Sequence, residues 1–378
     1  MRSLCGQPYA GSFFRRIPFA AQMFETRCRF GLRKRLLVAK ATLDPFGTRN
    51  HCQESRMDVS LRRRVLAVAA VCVAVAVAAA GPFSVARAET AHKPKVALVM
   101  KSLANEFFLT MENGAKEYQK HNASQFDLVT NGIKDETDTA SQIRIVEQMI
   151  VSKVDAIVLA PADSKALVPV VKKAVDAGII VVNIDNRLDP DVLKSKGLNV
   201  PFVGPDNRKG ARMVGDYLAK RLKAGDAVGI VEGVPTTTNA QQRTAGFQDA
   251  MKAAGAKVVS VQSGEWEIDK GNAVAAAMLN EYPNLKALLC GNDNMAIGAV
   301  SAVRAAGRQG KVYVVGYDNI NAIKPMLKDG RVLATADQYA AKQAVFGIDT
   351  ALKALAEHRK QADMTGVVAT PVDLVTKP

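Results

Sequence analysis

Residues 95–130 read KVALVMKSLANEFFLTMENGAKEYQKHNASQFDLVT. A short apolar run, Val96 to Met100, is followed by an amphipathic segment, Phe108 to Lys120, and then by a second short run, Asp127 to Thr130. Strand, helix and strand in that order form a crossover unit, whose two strands lie parallel. The alternation continues along the chain. Further strands are predicted at Ala156 to Ala160, Ile179 to Ile184, Val228 to Glu232, Val258 to Gln262, Ala287 to Cys290 and Val312 to Gly316. Helices are predicted at Thr139 to Val151, Leu167 to Ala177, Lys209 to Lys223, Gln241 to Ala254, Asn272 to Tyr282, Asn294 to Ala306 and Ala341 to Glu357. Strands this continuously apolar belong to parallel sheets covered on both faces. Gly255 and Gly307, each behind an alanine pair, stand where a helix end takes a left-handed residue.

A polar, Pro-containing seam at Val200 to Pro205 separates two series of such units. The expected architecture is therefore α/β, with two doubly wound parallel-sheet lobes joined at a hinge. Ligands of such sheets bind beyond the carboxyl ends of the strands.

The N-terminal region reads differently. Arg62, Arg63 and Arg64 precede an apolar run from Val65 to Ala80, and Ala86-Arg87-Ala88 supplies small residues at a cleavage site. Residues 57–88 are expected to be a signal peptide cleaved after Ala88, and the remainder to work outside the cytoplasm. A membrane anchor is the competing reading, but the run falls short of the roughly 20 residues a spanning helix needs. Residues 1–56 carry eleven Lys and Arg against three Asp and Glu. They are expected to be a basic leader, with translation starting at Met57; a nucleic-acid arm and a transit peptide are the alternatives.

The formal charge of +15 shrinks once this region is set aside. Residues 1–88 hold 15 of the 51 Lys and Arg and 4 of the 36 Asp and Glu, leaving 36 − 32 = +4. That balance is no nucleic-acid footprint. Cys5, Cys28, Cys52 and Cys72 also belong to the leader, so Cys290 is left alone and is expected to be buried and inert.

The strand ends carry the candidate chemistry. They offer Lys101 to Phe108 with its two adjacent aromatics, Asn183-Ile184-Asp185-Asn186-Arg187, Asp206-Asn207, Arg243, Glu265-Trp266, Asn292-Asp293-Asn294 and Tyr317-Asp318. Any one of these could be a helix cap, a surface charge or a packed ring. Together they supply amides, carboxylates, a guanidinium and flat apolar faces, the mixture a polyhydroxylated ligand needs.

At these residues the chain resembles the ribose- and allose-type periplasmic sugar-binding proteins of ABC importers, from about Lys93 to Thr376. The motifs are Asn105-Glu106-Phe107-Phe108, Asn183-Ile184-Asp185, Asp206-Asn207, Arg243 with Gly246-Phe247-Gln248, Glu265-Trp266, Gly291 to Ala299, Val315-Gly316-Tyr317-Asp318 and Ala336-Asp337-Gln338. The resemblance implies that Asn105, Asp185, Asn207, Arg243, Asn292, Asp318 and Gln338 hydrogen-bond ligand hydroxyls, while Phe107, Phe108 and Trp266 hold its apolar faces. Asn186 joins the set because ribose-type members carry Arg there, and here Arg187 comes one place later. That departure and Trp266 look more like the allose type, so a hexose or sugar alcohol competes with a pentose. The resemblance also implies a three-strand hinge. The first lobe would hold residues 93–204 and 339–366, the second 205–338 and 367–378, with a last strand near Val367 to Val375 in the second.

The expected function is capture of a monosaccharide or polyol by hinge closure and delivery to an ABC permease and its ATPase. The protein is expected to be a periplasmic monomer without cofactor, metal or nucleic-acid partner. A sensor docking on a chemoreceptor or kinase is the main alternative. A regulator of the LacI type lacks its helix-turn-helix here. An enzyme is not expected, since His92, His121 and His358 are scattered and have no partner at ligand spacing.

Overall fold

The computed structural model describes residues 92–377. The expected leader and signal peptide lie outside the described residues.

The first sheet contains β1 (Lys95–Ser102), β2 (Asp127–Ile133), β3 (Ala156–Leu159), β4 (Ile180–Ile184), β5 (Phe202–Gly204) and, from the far end of the chain, β11 (Val367–Ala369). Their order is β11-β5-β4-β3-β1-β2, and every pairing is parallel. Helices α1 (Glu106–His121), α2 (Thr139–Val151), α3 (Val168–Asp176), α4 (Pro190–Ser195) and α10 (Ala340–Ala356) accompany it.

The second sheet contains β6 (Ala227–Glu232), β7 (Lys257–Ser263), β8 (Ala287–Cys290), β9 (Tyr313–Val315), β10 (Ala334–Asp337) and β12 (Asp373–Thr376). Their order is β12-β10-β9-β8-β6-β7. Helices α5 (Asn207–Ala219), α6 (Thr238–Ala253), α7 (Ile268–Glu281), α8 (Asp293–Ala305) and the short α9 (Lys324–Lys328) complete this lobe.

Burial explains the apolar runs. Val96, Ala97, Leu98, Val99 and Met100 of β1 are all fully buried, and alternate residues belong to different core clusters on the two faces of the sheet. Each buried aliphatic side chain of Val or Leu size contributes about 1.5–3 kcal/mol relative to exposure. Gly255 and Gly307 take the expected left-handed backbone, at φ +71° and +64°. Cys290 is fully buried, and that burial pushes its thiol pKa up, away from reactive thiolate.

One expectation is corrected. The segment from Val367 is two strands rather than one. β11 pairs in parallel with β5 of the first lobe, Val367 against Phe202, and only β12 reaches the second sheet, Ala334 pairing with Thr376. Pro371 lies between them and has no N–H to donate to a ladder, so pairing stops there and the chain changes sheets. β12 also runs antiparallel to β10, so the second sheet is mixed at that edge.

The chain thus passes between the sheets three times, after β5, β10 and β11. The loops after β1, β4, β7, β8 and β9 meet in the gap between the lobes, where the candidate residues lie.

Candidate ligand site between the lobes

A cavity of about 220 Å³ is lined by Lys101, Asn105, Phe107, Phe108 and Asp185 of the first lobe. From the other side come Asn239, Arg243, Trp266, Asn292, Asp318 and, at the second crossing, Gln338. All of these residues are buried.

Each wall is built by local chain geometry. Asn105 caps α1, its Oδ1 accepting from Phe107 N at 3.0 Å, which turns Phe107 and Phe108 into the cavity at the first helical turn. The two rings meet edge to face, centroids 5.1 Å apart. Asp185 follows β4 with φ +61°, and Asp318 follows β9 with φ +116°. Glu265 and Trp266 are consecutive left-handed residues at φ +50° and +70°. Positions like these cost on the order of 1–3 kcal/mol each and concentrate at functional sites. Here the strain is held by specific bonds: Asn292 Nδ2 donates to Trp266 O at 3.1 Å while its Oδ1 caps α8 at Met295 N.

Arg243 is the most constrained group. Its Nε donates to Asn207 Oδ1 at 2.8 Å, and its Nη1 to Gly291 O at 3.0 Å and Asp318 Oδ1 at 3.4 Å. The guanidinium lies 3.8 Å above the Tyr317 ring and 5.4 Å from that of Trp266. On the facing wall Lys101 Nζ sits 2.8 Å from Glu136 Oε2 and between two aromatic faces, 5.4 Å from Phe108 and 5.2 Å from Trp266. Glu136 also accepts from Asn105 Nδ2 at 2.9 Å.

Burial raises the pKa of Asp185, Glu136 and Asp318, against the pull of Lys101 on the first two and Arg243 on the third. For Asp318 the result is about 7. Three buried polar atoms of the lining, Asp185 Oδ2, Arg243 Nη2 and Trp266 Nε1, have no hydrogen-bond partner among the described residues. One acceptor and two donors left unpaired in a buried site are costly, and a bound ligand can complete them.

Two expected residues stand behind the wall rather than in it. Asn207 spends its carbonyl orienting Arg243. Asn186 donates from Nδ2 to Pro161 O at 2.9 Å and accepts Asn239 N at 3.3 Å, holding a lining residue of the opposite lobe. Arg187 is exposed and stacks 5.7 Å from Phe202. Glu136 and Asn239 were not singled out from the sequence, and Lys101, though part of the first strand-end stretch, was given no ligand role. A lysine closing an apolar run was a usable signal for Lys101; nothing in the polar stretch around Glu136 marks that residue.

A larger recess of about 1300 Å³ lies on the second lobe among Val300, Val303, Val314, Met326 and Leu333. Its Arg304 and Arg331 are exposed, and Arg331 pairs with Asp329, so it lacks the buried converging polar groups of the smaller cavity. Among the described residues, no group of three or more His, Cys, Asp and Glu side chains could hold a metal ion.

Two α/β lobes, three crossings and a polar, aromatic-lined cavity between facing strand ends define a hinged solute-binding protein. The chain belongs to the periplasmic binding protein domain family, whose model matches residues 96–360. It is 77% identical over 297 residues to the D-ribose/D-allose-binding protein of Pseudomonas aeruginosa, covering 79% of this chain and 93% of that one. Its fold matches a solved ABC transporter solute-binding protein from Burkholderia multivorans at TM-score 0.75 and 93% identity, over 76% of this chain and all of the other. The ligand in that structure is unknown and represented as α-D-erythrofuranose. A periplasmic solute-binding protein from Actinobacillus succinogenes with bound D-allose matches at TM-score 0.70 and 37% identity, over 75% of this chain and 98% of that one.

Proposed function

We propose that this protein captures one monosaccharide, of the D-allose or D-ribose kind, between its lobes and presents it to an ABC importer. The unpartnered Asp185 Oδ2, Arg243 Nη2 and Trp266 Nε1 around one small cavity carry this reading. A sugar hydroxyl both donates and accepts, so a ring of hydroxyls can serve carboxylate, guanidinium and indole N–H together. Phe107, Phe108 and Trp266 offer flat faces to its C–H surfaces. Asn105, Asn292, Gln338, Lys101 and Asn239 complete the polar shell, with Asn186 and Asn207 acting through Asn239 and Arg243.

Contacts from both lobes to one ligand favour the closed arrangement over the open one, because only closure makes them all at once. A permease that reads the closed pair of lobes then receives the sugar, its ATPase supplying the energy. The binding protein would act as a monomer, exported by cleavage after Ala88. Trp266 in the lining, together with Asn186 in place of a guanidinium beside Asp185, supports a hexose such as D-allose alongside D-ribose.

A thermal-shift screen over pentoses, hexoses, inositols and alditols tests this. D-allose or D-ribose at a hundredfold excess over Kd stabilises by about 2.7 kcal/mol and raises Tm by several degrees. No shift with any of them would overturn the reading.

A further inference from the structure

Glu106 lies between two lining residues, Asn105 and Phe107, yet does not line the cavity. Its carboxylate reaches across the gap between the lobes, Oε1 accepting from Asn321 N at 2.9 Å and Oε2 from Ala322 N at 3.1 Å. The turn that begins there, Asn321–Ile323, has no side-chain cap from its own lobe.

The other flank repeats the arrangement with different residues. Helix α6 also has no side-chain cap of its own. Its first N–H groups are taken by the first lobe: Thr238 N donates to Ser164 Oγ at 2.9 Å and Asn239 N to Asn186 Oδ1 at 3.3 Å. Thr238 Oγ1 donates in turn to Arg187 O at 3.0 Å. By contrast, α5 and α8 are capped within the second lobe by Asp206 and Asn292. The second-lobe segments capped from the first lobe are therefore ones that meet it across the cleft.

We propose that Glu106 and Ser164 are clasp residues: they cap second-lobe segments in trans, only when the lobes are closed, and so set how long a captured ligand is held. They are positioning residues that act without touching the ligand. Opening strips these N–H groups of their acceptors and hands them to water, so each clasp adds to the barrier to release. The clasps lie on opposite flanks and share no partner, so their effects should multiply. The proposal rests on the sugar-capture reading for its kinetic consequence, and on inter-lobe geometry alone for its structural one.

Stopped-flow binding with D-allose and D-ribose as probes tests it on Glu106→Ala, Ser164→Ala and the double variant. Each single variant should release sugar about five- to twentyfold faster, a range matching a lost helix cap. Association should change less than about twofold. Glu106→Gln, which keeps one carbonyl acceptor, should recover most of the loss. Unchanged release, or slower association together with a lower ligand-free Tm, would show a merely structural role and overturn the proposal. If the unaltered protein binds neither sugar, the ligand reading fails by itself. The clasp is then judged from spin-label distances between the lobes in ligand-free protein: the closed fraction must fall in Glu106→Ala, and an unchanged distribution overturns it.

Discussion

Lys101 Nζ stands 2.8 Å from Glu136 Oε2, and the two side chains are 3% and 1% exposed. Breaking such a pair by removing one partner typically costs about 3–5 kcal/mol, because a buried charge is left alone, whereas replacing both with apolar groups is often nearly neutral. Glu136→Leu should therefore lower stability by about 3–5 kcal/mol in urea unfolding. Lys101→Met combined with Glu136→Leu should recover at least about 2 kcal/mol of that loss while still abolishing sugar affinity. A double variant no more stable than the single one would show that the pair is not coupled.

Asp318 ties the site to pH. Burial pushes its carboxyl up to about 7, opposed by Arg243 and Gln338 and reinforced by Asp185 and Glu136. In the unfolded chain the same group titrates near 3.8. Between these values the folded protein holds more protons than the unfolded one, so this group makes stability fall as pH rises from about 4 to about 7, with no further change above. Asp318→Asn should flatten that slope in urea unfolding. Sugar hydroxyls that donate to the ionised carboxylate should expel its proton, so binding heats at pH 6 should differ between buffers of unequal ionisation enthalpy. Equal heats would argue against Asp318 as an acceptor.

Gly233 sets the height of the indole wall. A Cβ there would lie 2.0 Å from Cζ2 of Trp266, whose backbone is already left-handed. Gly233→Ala must push the ring toward the cavity or out of it. Sugar affinity should drop at least about tenfold, with a stability loss of about 1–3 kcal/mol, the usual range for overpacking. Calorimetric titration and urea unfolding of this variant read the two effects, and unchanged affinity would place Trp266 outside the recognition surface.

Much of this was legible in the residues. The runs at Val96 to Met100 and Ala287 to Cys290 announced buried parallel strands, and Asp185, Arg243, Trp266 and Asp318 were visible as chemistry gathered at strand ends. Two kinds of detail were not. The three-residue strands Phe202–Gly204 and Val367–Ala369 carry too little apolar pattern to separate from a loop, and the change of sheet at Pro371 follows from the fold. The orientation of neighbouring side chains was hidden as well. Asp185 takes φ +61°, which swings the chain so that Asp185 lines the cavity while Asn186 binds Pro161 O and Asn239 N behind it. Adjacency along the chain could not say which of the two would face the ligand. Lys101 was part of the strand-end stretch but had no role of its own, because only the fold brings Glu136 to pair with it.

The most direct measurement is calorimetric titration of the unaltered protein, Asp185→Ala, Arg243→Ala and Asp318→Ala with the sugar that most raises the melting temperature. Hydrogen bonds to charged groups contribute about 1.5–3 kcal/mol each, so every substitution should weaken binding about tenfold to a hundredfold or more. Affinity unchanged in all three, drawn as they are from facing lobes, would contradict a ligand held between them.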